Sequence, residues 1–162
     1  MINKKDIINN VNIFIIGKIC FDKYKNNFDE NEFDINYKYR YFSLLLIILY
    51  RKFVPNHKNR KNNLSFKILE NVLKVSNQDS RIIKQILNNF DDFIDYISTN
   101  EYNKENAILL LKNINVQNIS QIILIAVSEE FTLKNNNDNI MDKFDYNYLD
   151  NIFKKYFKFL NL

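Results

Sequence analysis

The chain has 162 residues, of which 46% are apolar, 26% charged and 15% aromatic, and its formal net charge is +4. This length and apolar fraction are typical of one globular domain with a buried core. A single glycine and a single proline exclude the glycine-rich loops of P-loop and Rossmann proteins and most small β folds, which need those residues in their turns.

Apolar residues at helical spacing predict a first helix over 5–24. Its apolar positions are Ile7, Ile8, Val11, Phe14, Ile15, Ile19 and Tyr24. The polar, acidic stretch that follows, up to residue 36, reads as a loop. A second helix is predicted over 37–53, and because it is apolar around most of its circumference we expect it to be central to the core. It ends before Pro55, since the residue before a proline disfavours the α conformation.

The rest of the chain continues the same helical pattern. Asn63 can cap a third helix over 64–75 that buries Phe66, Leu69, Val72 and Leu73, and Asn77 can cap a fourth over about 78–89. Further helices are predicted from Phe90 to Ile97 after a short break, over 104–112, over about 118–133 and over about 141–160. Short β-branched runs lack the turn residues that strands need. The sequence therefore predicts an all-α, single-domain bundle of seven or eight helices spanning 1–162.

No apolar run reaches the 18 or so residues that a membrane span needs. The longest, 44–50, ends at Arg51, so we predict that the chain is not an integral membrane protein. The many asparagine, lysine and isoleucine residues are what an AT-rich genome encodes, and they do not indicate disorder.

The residues of chemical interest are few. A lone cysteine, Cys20, forms neither an internal disulfide nor a thiolate zinc site, which favours an intracellular, cytoplasmic protein. The lone histidine, His57, lies in a run of basic residues and asparagine that is typical of a solvated loop, although a role as a base or ligand is the alternative. We predict no catalytic residue, metal ligand, cofactor or enzymatic activity.

The helices show a weak internal repeat. The apolar helix at 42–53 is followed by a polar loop and an amphipathic helix, and the same order recurs from Ile122 to Phe153 with similar spacing. Two pseudo-repeated helix-loop-helix halves are too few for a solenoid, and they suggest a pseudo-symmetric pair within one bundle.

This arrangement resembles the TerB-like domain of tellurite-resistance proteins and DjlA-type J-proteins over about 41–159, after an N-terminal helix and acidic loop at 1–36. The segment Leu73-Lys74-Val75-Ser76 followed by Asn77-Gln78-Asp79 is similar to a segment of that family. The resemblance implies a helical interaction module. The family's acidic metal-binding loops are not matched, because residues 55–58 read Pro-Asn-His-Lys and residues 134–138 read Lys-Asn-Asn-Asn-Asp, so no metal site is carried over.

A second resemblance is to the NusB antitermination family. The segment 119–130, Ile-Ser-Gln-Ile-Ile-Leu-Ile-Ala-Val-Ser-Glu-Glu, is similar to a NusB helix that carries an apolar stretch ending in an acidic residue. That family is also a small helical bundle of two repeated halves, and the resemblance implies RNA binding through basic residues. NusB's usual arginine-rich N-terminus is absent here.

The clearest charge feature is a basic segment that contains no acidic residue between Arg51 and Leu69. Such a segment can steer an anionic partner toward its binding site. Its predicted binding residues are Arg51, Lys52, His57, Lys58, Arg60 and Lys61. The function predicted is recognition of a protein partner through a helix face, oriented by this segment, and RNA binding through the same segment is the alternative.

Two further clusters have structural explanations. Asp91 and Asp92 are expected at a helix start, where acidic residues favour the helix dipole. The last helix carries more aromatic residues than one face can bury, and an exposed remainder would mark a partner or dimer surface. These residues are Tyr146, Tyr148, Phe153, Tyr156, Phe157 and Phe159. The sequence does not fix the oligomeric state.

Overall fold

The computed structural model describes residues 3–28, 37–53, 67–68, 70–98, 116–135, 139–142 and 144–158. Its regular elements are α1 (Lys4–Tyr24), a 3-10 turn (Lys25–Asn27), α2 (Tyr37–Arg51), α3 (Asn77–Ser98), α4 (Val116–Lys134) and α5 (Tyr146–Phe157). The described residues contain no strand, which confirms the prediction of an all-α fold. The count of seven or eight helices stays a prediction, because the helix expected over 104–112 lies outside the described ranges.

Side-chain caps explain where three of these helices begin. Asn3 caps α1 and Asp145 caps α5, each accepting a hydrogen bond from a backbone N–H in the first turn. At α3 the hydroxyl of Ser76 accepts a hydrogen bond from the backbone N–H of Asp79 at 3.2 Å. The cap of α3 is therefore Ser76, and Asn77 is the first helical residue rather than the predicted cap.

The predicted break near Asn89 is absent, because α3 continues without interruption from Asn77 to Ser98. Consecutive asparagines lower helix propensity by less than about 1 kcal/mol each, and neither glycine nor proline interrupts the segment. Asp91 and Asp92 consequently lie inside a helix, so the prediction that they mark a helix start is wrong.

The centre of the core is α4, which packs against α1, α3 and α5. Its residues 122–127 are all buried, so this helix has no solvent-facing side over nearly two turns. The prediction that α2 is apolar and central holds only in part. Most of α2 is buried, but Leu46 and Tyr50 are 43% and 40% exposed.

The buried face of α1 differs from the predicted one. Ile13, Ile16 and Cys20 are buried, whereas the predicted core residues Ile7 and Val11 are 50% and 53% exposed. Because α1 carries apolar residues on more than one face, its spacing could not decide which face enters the core.

The predicted third helix and the last helix also need correction. In the former, residues 67–68 and 70–71 are helical, but Val72 from its predicted buried face is 70% exposed. The last helix begins at Tyr146, five residues later than predicted, because residues 139–142 form a turn and bend.

Helices α1 and α2 run antiparallel and approach closely at Gly17. The Tyr41 hydroxyl donates to the Gly17 carbonyl at 2.8 Å, and Asn10 Nδ2 donates to the Leu49 carbonyl at 3.0 Å. A Cβ at Gly17 would lie 2.6 Å from a methyl of Leu45. A larger residue at this crossing would force the Leu45 side chain to move, so glycine lets the two helices pack at their observed separation.

Polar contacts join α2 to α3 and α1 to α5. The guanidinium of Arg40 on α2 lies 2.9 Å from the carboxylate of Asp79 on α3, and both side chains are buried. At the other side, the Tyr24 hydroxyl of α1 donates to the Asp150 carboxylate of α5. No helix among the described residues is both long enough and apolar enough to cross a membrane.

Candidate binding site

The predicted binding segment begins at the C-terminal end of α2. Arg51 is buried there, with 7% of its surface exposed. Lys52 is exposed, and its Nζ lies 3.5 Å from a carboxylate oxygen of Glu129 on α4. The other predicted binding residues lie outside the described ranges: His57, Lys58, Arg60 and Lys61. Their role in binding stays a prediction.

A cleft of about 280 Å³ opens beside Lys52. It lies between the first half of α1 and the C-terminal ends of α2 and α4. Asn9 and Asn10 form part of its polar wall, while Phe53 and Leu133 contribute apolar surface. The side-chain amide of Asn10 already donates to the α2 backbone, so this wall serves helix packing as well.

The face of α1 and α2 that points away from α4 carries an apolar groove. We call it the outer groove, and it is lined by one apolar stripe from each helix. The lining residues are Ile7, Val11 and Phe14 on α1, and Phe42, Leu46 and Tyr50 on α2. Phe14 and Phe42 form its floor, with ring centroids 5.8 Å apart, and both are half-buried. Four of the six side chains are at least 40% exposed.

The antiparallel packing of α1 and α2 brings these two stripes to the same levels. Because Asn10 meets Leu49 and Gly17 meets Tyr41, the start of α1 lies beside the end of α2. Val11 therefore lies near the level of Leu46, and the apolar surface runs continuously along both helices. A groove between two antiparallel helices is a shape that accepts a third helix.

Two lysines lie at one end of the outer groove. Lys18 follows Phe14 by one helical turn, and Lys38 precedes Phe42 by one turn, so each continues its apolar stripe. Both are exposed. The antiparallel arrangement puts them at the same end, where Asp22, one helical turn beyond Lys18, is also exposed.

A second cleft, also of about 280 Å³, lies at the start of α3. Two cationic side chains, Arg81 and Lys84, line it together with Ser80 and Glu70. Lys84 Nζ lies 2.9 Å from Glu70 Oε1. We call this second cleft the α3 cleft. The α3 cleft has no signature in the sequence, because Glu70 and Lys84 meet only through the turn that joins their helical segments.

The one cysteine is not placed for nucleophilic chemistry. Cys20 is fully buried, and burial raises the pKa of its thiol to about 12, against smaller lowering effects from a hydrogen bond with Ser128 and from the charge of Lys23. The reactive thiolate is therefore scarce at neutral pH. Among the described residues, no three histidine, cysteine, aspartate or glutamate side chains are grouped to hold a metal ion.

The aromatic residues of α5 are mostly used in packing. Phe153 stacks on Tyr24 with ring centroids 4.0 Å apart, and the Tyr156 hydroxyl donates to Glu130 at 3.1 Å. Tyr146 remains 51% exposed, but Lys23 Nζ lies 4.6 Å from its ring centroid. Phe159 lies outside the described residues. The larger exposed apolar surface is thus on α1 and α2.

No protein-family model, no curated protein and no solved structure matches this chain.

Helical spacing alone does not predict the outer groove, because it puts Ile7 and Val11 in the core and α2 at its centre. One sequence signal could have found it. In α1, Ile13, Ile16 and Cys20 form a second apolar stripe at helical spacing. When only one of two apolar stripes on a helix faces the core, the other stays exposed.

Proposed function

We propose that this protein is a non-enzymatic helical binding module whose outer groove receives an amphipathic, acidic helix of a partner protein. The observation that carries the proposal is the exposure of Ile7, Val11, Leu46 and Tyr50 around the half-buried Phe14–Phe42 floor. Contiguous exposed apolar side chains on a folded domain are typical of interaction surfaces.

The shape of the groove favours a helix as the occupant. A helix presents apolar side chains at positions i, i+3, i+4 and i+7, which can follow the two parallel rows of apolar side chains on α1 and α2. Phe14 and Phe42 would contact the buried anchors of that helix, and aromatic side chains are the ones most often found at the centre of such interfaces.

The charges favour an acidic partner. Lys18 and Lys38 lie at one end of the groove, and the chain as a whole carries a net charge of +4. Complementary charge speeds association and fixes orientation more than it adds affinity. The basic segment begins at Arg51, directly after Tyr50 and so at the opposite end of the groove from Lys18 and Lys38, and we propose that it attracts the same acidic partner.

A module of this kind agrees with what the TerB-like resemblance implies, namely a helical domain that recognises another protein. The same proposal includes three finer features that the sequence predicts: seven or eight helices, two pseudo-repeated halves and a cytoplasmic location. The NusB-like alternative assigns the basic segment to RNA instead, and the tests below distinguish the two.

The proposal is tested by selecting a phage-displayed library of helix-forming peptides against the full chain. We expect the enriched peptides to share apolar residues at helical spacing and to carry acidic residues beside them. Their affinity should fall at least about tenfold in Val11→Asp and Leu46→Asp, because each change puts a charge into the apolar contact. Enriched peptides that bind these variants as tightly as the unmodified chain would overturn the proposal.

Val72→Asp is the matched control, because Val72 is an exposed valine, 70% accessible, outside the outer groove. It should leave peptide affinity unchanged. Sedimentation equilibrium adds a further outcome, since self-association abolished by Val11→Asp would make a second copy the occupant and contradict a separate partner. A pool of short RNAs bound with sequence preference at physiological salt, and released by Lys58→Glu, would favour the NusB-like function.

A further inference from the structure

The α3 cleft combines a helix start, two cations and a buried hydroxyl. The Ser76 hydroxyl accepts a hydrogen bond from the backbone N–H of Asp79, and the Ser76 carbonyl accepts one from the backbone N–H of Ser80 at 2.8 Å. The backbone N–H groups of Asn77 and Gln78 precede these and have no acceptor within the helix. Such N–H groups, at the positive end of a helix dipole, attract anions.

Ser80 gives an independent indication of a ligand at this place. The residue lines the cleft, is 6% exposed, and its hydroxyl has no hydrogen-bond partner among the described residues. Buried hydroxyls are nearly always paired in native proteins, so an unpaired one beside a cleft calls for an explanation. A bound acceptor would supply the missing partner.

The charges around the cleft are arranged for an anion. Arg81 is exposed and has no carboxylate within ion-pair distance among the described residues. The carboxylate of Asp79, two residues before Arg81, is balanced by the buried guanidinium of Arg40 at 2.9 Å. Among the described residues that line the cleft, the acid is Glu70. Its side chain is 58% exposed and paired with Lys84, so it can swing into solvent when a stronger anion reaches Lys84.

We propose that the α3 cleft binds a phosphate monoester. Arg81 and Lys84 neutralise the phosphate, the Ser80 hydroxyl and the first N–H groups of α3 donate hydrogen bonds to its oxygens, and Glu70 competes for Lys84. Val75, which is buried and lines the same cleft, gives the organic group of the ester an apolar wall. The volume of about 280 Å³ holds a phosphate with a small substituent. The proposal is independent of the outer groove.

The test is a titration of the ¹⁵N-labelled full chain with inorganic phosphate and with phenyl phosphate, followed by amide chemical shifts at constant ionic strength. We expect saturable shifts of the amides at 77–81 and tighter binding of phenyl phosphate because of Val75. Arg81→Gln should weaken binding about tenfold and Ser80→Ala about threefold or more. Glu70→Gln should strengthen it severalfold, since it removes the competing carboxylate.

The start of α1 is an internal control, because it has an Asn3 cap and two exposed lysines, Lys4 and Lys5, and does not line the α3 cleft. Parallel, non-saturating shifts at both helix starts would show an adventitious ion only and would overturn the site. Equal binding of the two phosphates would overturn the ester assignment. Ser80→Ala should melt no lower than the unmodified chain, so unchanged phosphate affinity in that folded variant would contradict the role of the hydroxyl.

Discussion

The two apolar faces of α1 have similar composition and different surroundings. The inner face, with Ile13, Ile16 and Cys20, is buried, whereas the outer face, with Ile7 and Val11, is half-exposed. Both faces follow helical spacing. The difference shows that an apolar stripe indicates only a surface whose burial is favourable. The packing of the neighbouring helices decides which stripe enters the core.

The inner face supplies stability and the outer face is available for binding. Complete burial of an isoleucine side chain contributes about 1.5–3 kcal/mol, and a half-exposed one contributes correspondingly less. Gly17 lies at the boundary, where the close approach of α2 covers part of α1 and leaves the outer groove beside it. The following predictions test this division of α1.

The largest effect is expected from Ile16→Ala on the inner face. Ile16 is 0% exposed, so its truncation leaves a cavity against the core and should lower the free energy of unfolding by about 2–5 kcal/mol. Val11→Ala on the outer face should change it by less than about 1 kcal/mol. Urea unfolding followed by circular dichroism measures both, and similar losses in the two variants would contradict the division.

A smaller loss is expected from Gly17→Val, at the boundary of the two faces. The added Cβ would meet the Leu45 methyl at 2.6 Å, and such overpacking costs about 1–3 kcal/mol. Gly17→Ala is the graded control, because its gain in helix propensity of about 1 kcal/mol offsets part of the clash. The same unfolding measurement applies, and a Gly17→Val variant as stable as the unmodified chain would show that α1 and α2 do not pack closely at this crossing.

The smallest predicted effect, measured between pH 9 and 10, is a loss of stability at alkaline pH from Cys20. Burial raises the pKa of its thiol from the ordinary 9.0 to about 12, so the unfolded chain loses this proton at lower pH than the folded protein does. The contribution of the protonated Cys20 thiol to the free energy of unfolding is therefore complete below about pH 9. It is lost as pH rises toward 12, and the free energy of unfolding falls by at most about 1.4 kcal/mol per pH unit.

Cys20→Ala should flatten this slope between pH 9 and 10 in urea unfolding experiments. Above pH 10 a slope should remain in the variant, because burial and their carboxylate partners also raise the pKa values of Tyr24 and Tyr156. Equal slopes in the variant and the unmodified chain below pH 10 would show that the thiol of Cys20 does not titrate as a buried group.

Helix positions followed from the sequence more closely than helix faces did. The first helix was predicted from residue 5 and begins at Lys4, and the second was predicted from Tyr37 and begins there. These limits depend on local features such as the Asn3 cap, which act within one turn. The predicted break near Asn89 is wrong, because asparagine is a weak helix former that need not end a helix, and α3 continues through both asparagines.

The candidate sites were less predictable. The basic segment was visible as a run of charges, but the burial of Arg51 and the pairing of Lys52 with Glu129 depend on where α2 ends relative to α4. The α3 cleft joins Glu70, Ser80 and Lys84 across a turn in which Lys74 adopts a left-handed conformation, with φ of 49°. A lysine in the sequence does not predict such a turn, because glycine or asparagine is the usual residue in the left-handed conformation.

The sequence by itself determined that this chain is helical, because apolar spacing and the scarcity of glycine and proline are local properties that favour helices over strands. It also determined that α1 and α2 carry more apolar surface than a single face can bury. Only the tertiary structure decided that α4 occupies the centre, that Ile16 is buried and Val11 is not, and that Ser80 borders a cationic cleft. Burial and charge pairing depend on residues far apart in sequence, so they are fixed only when the helices pack.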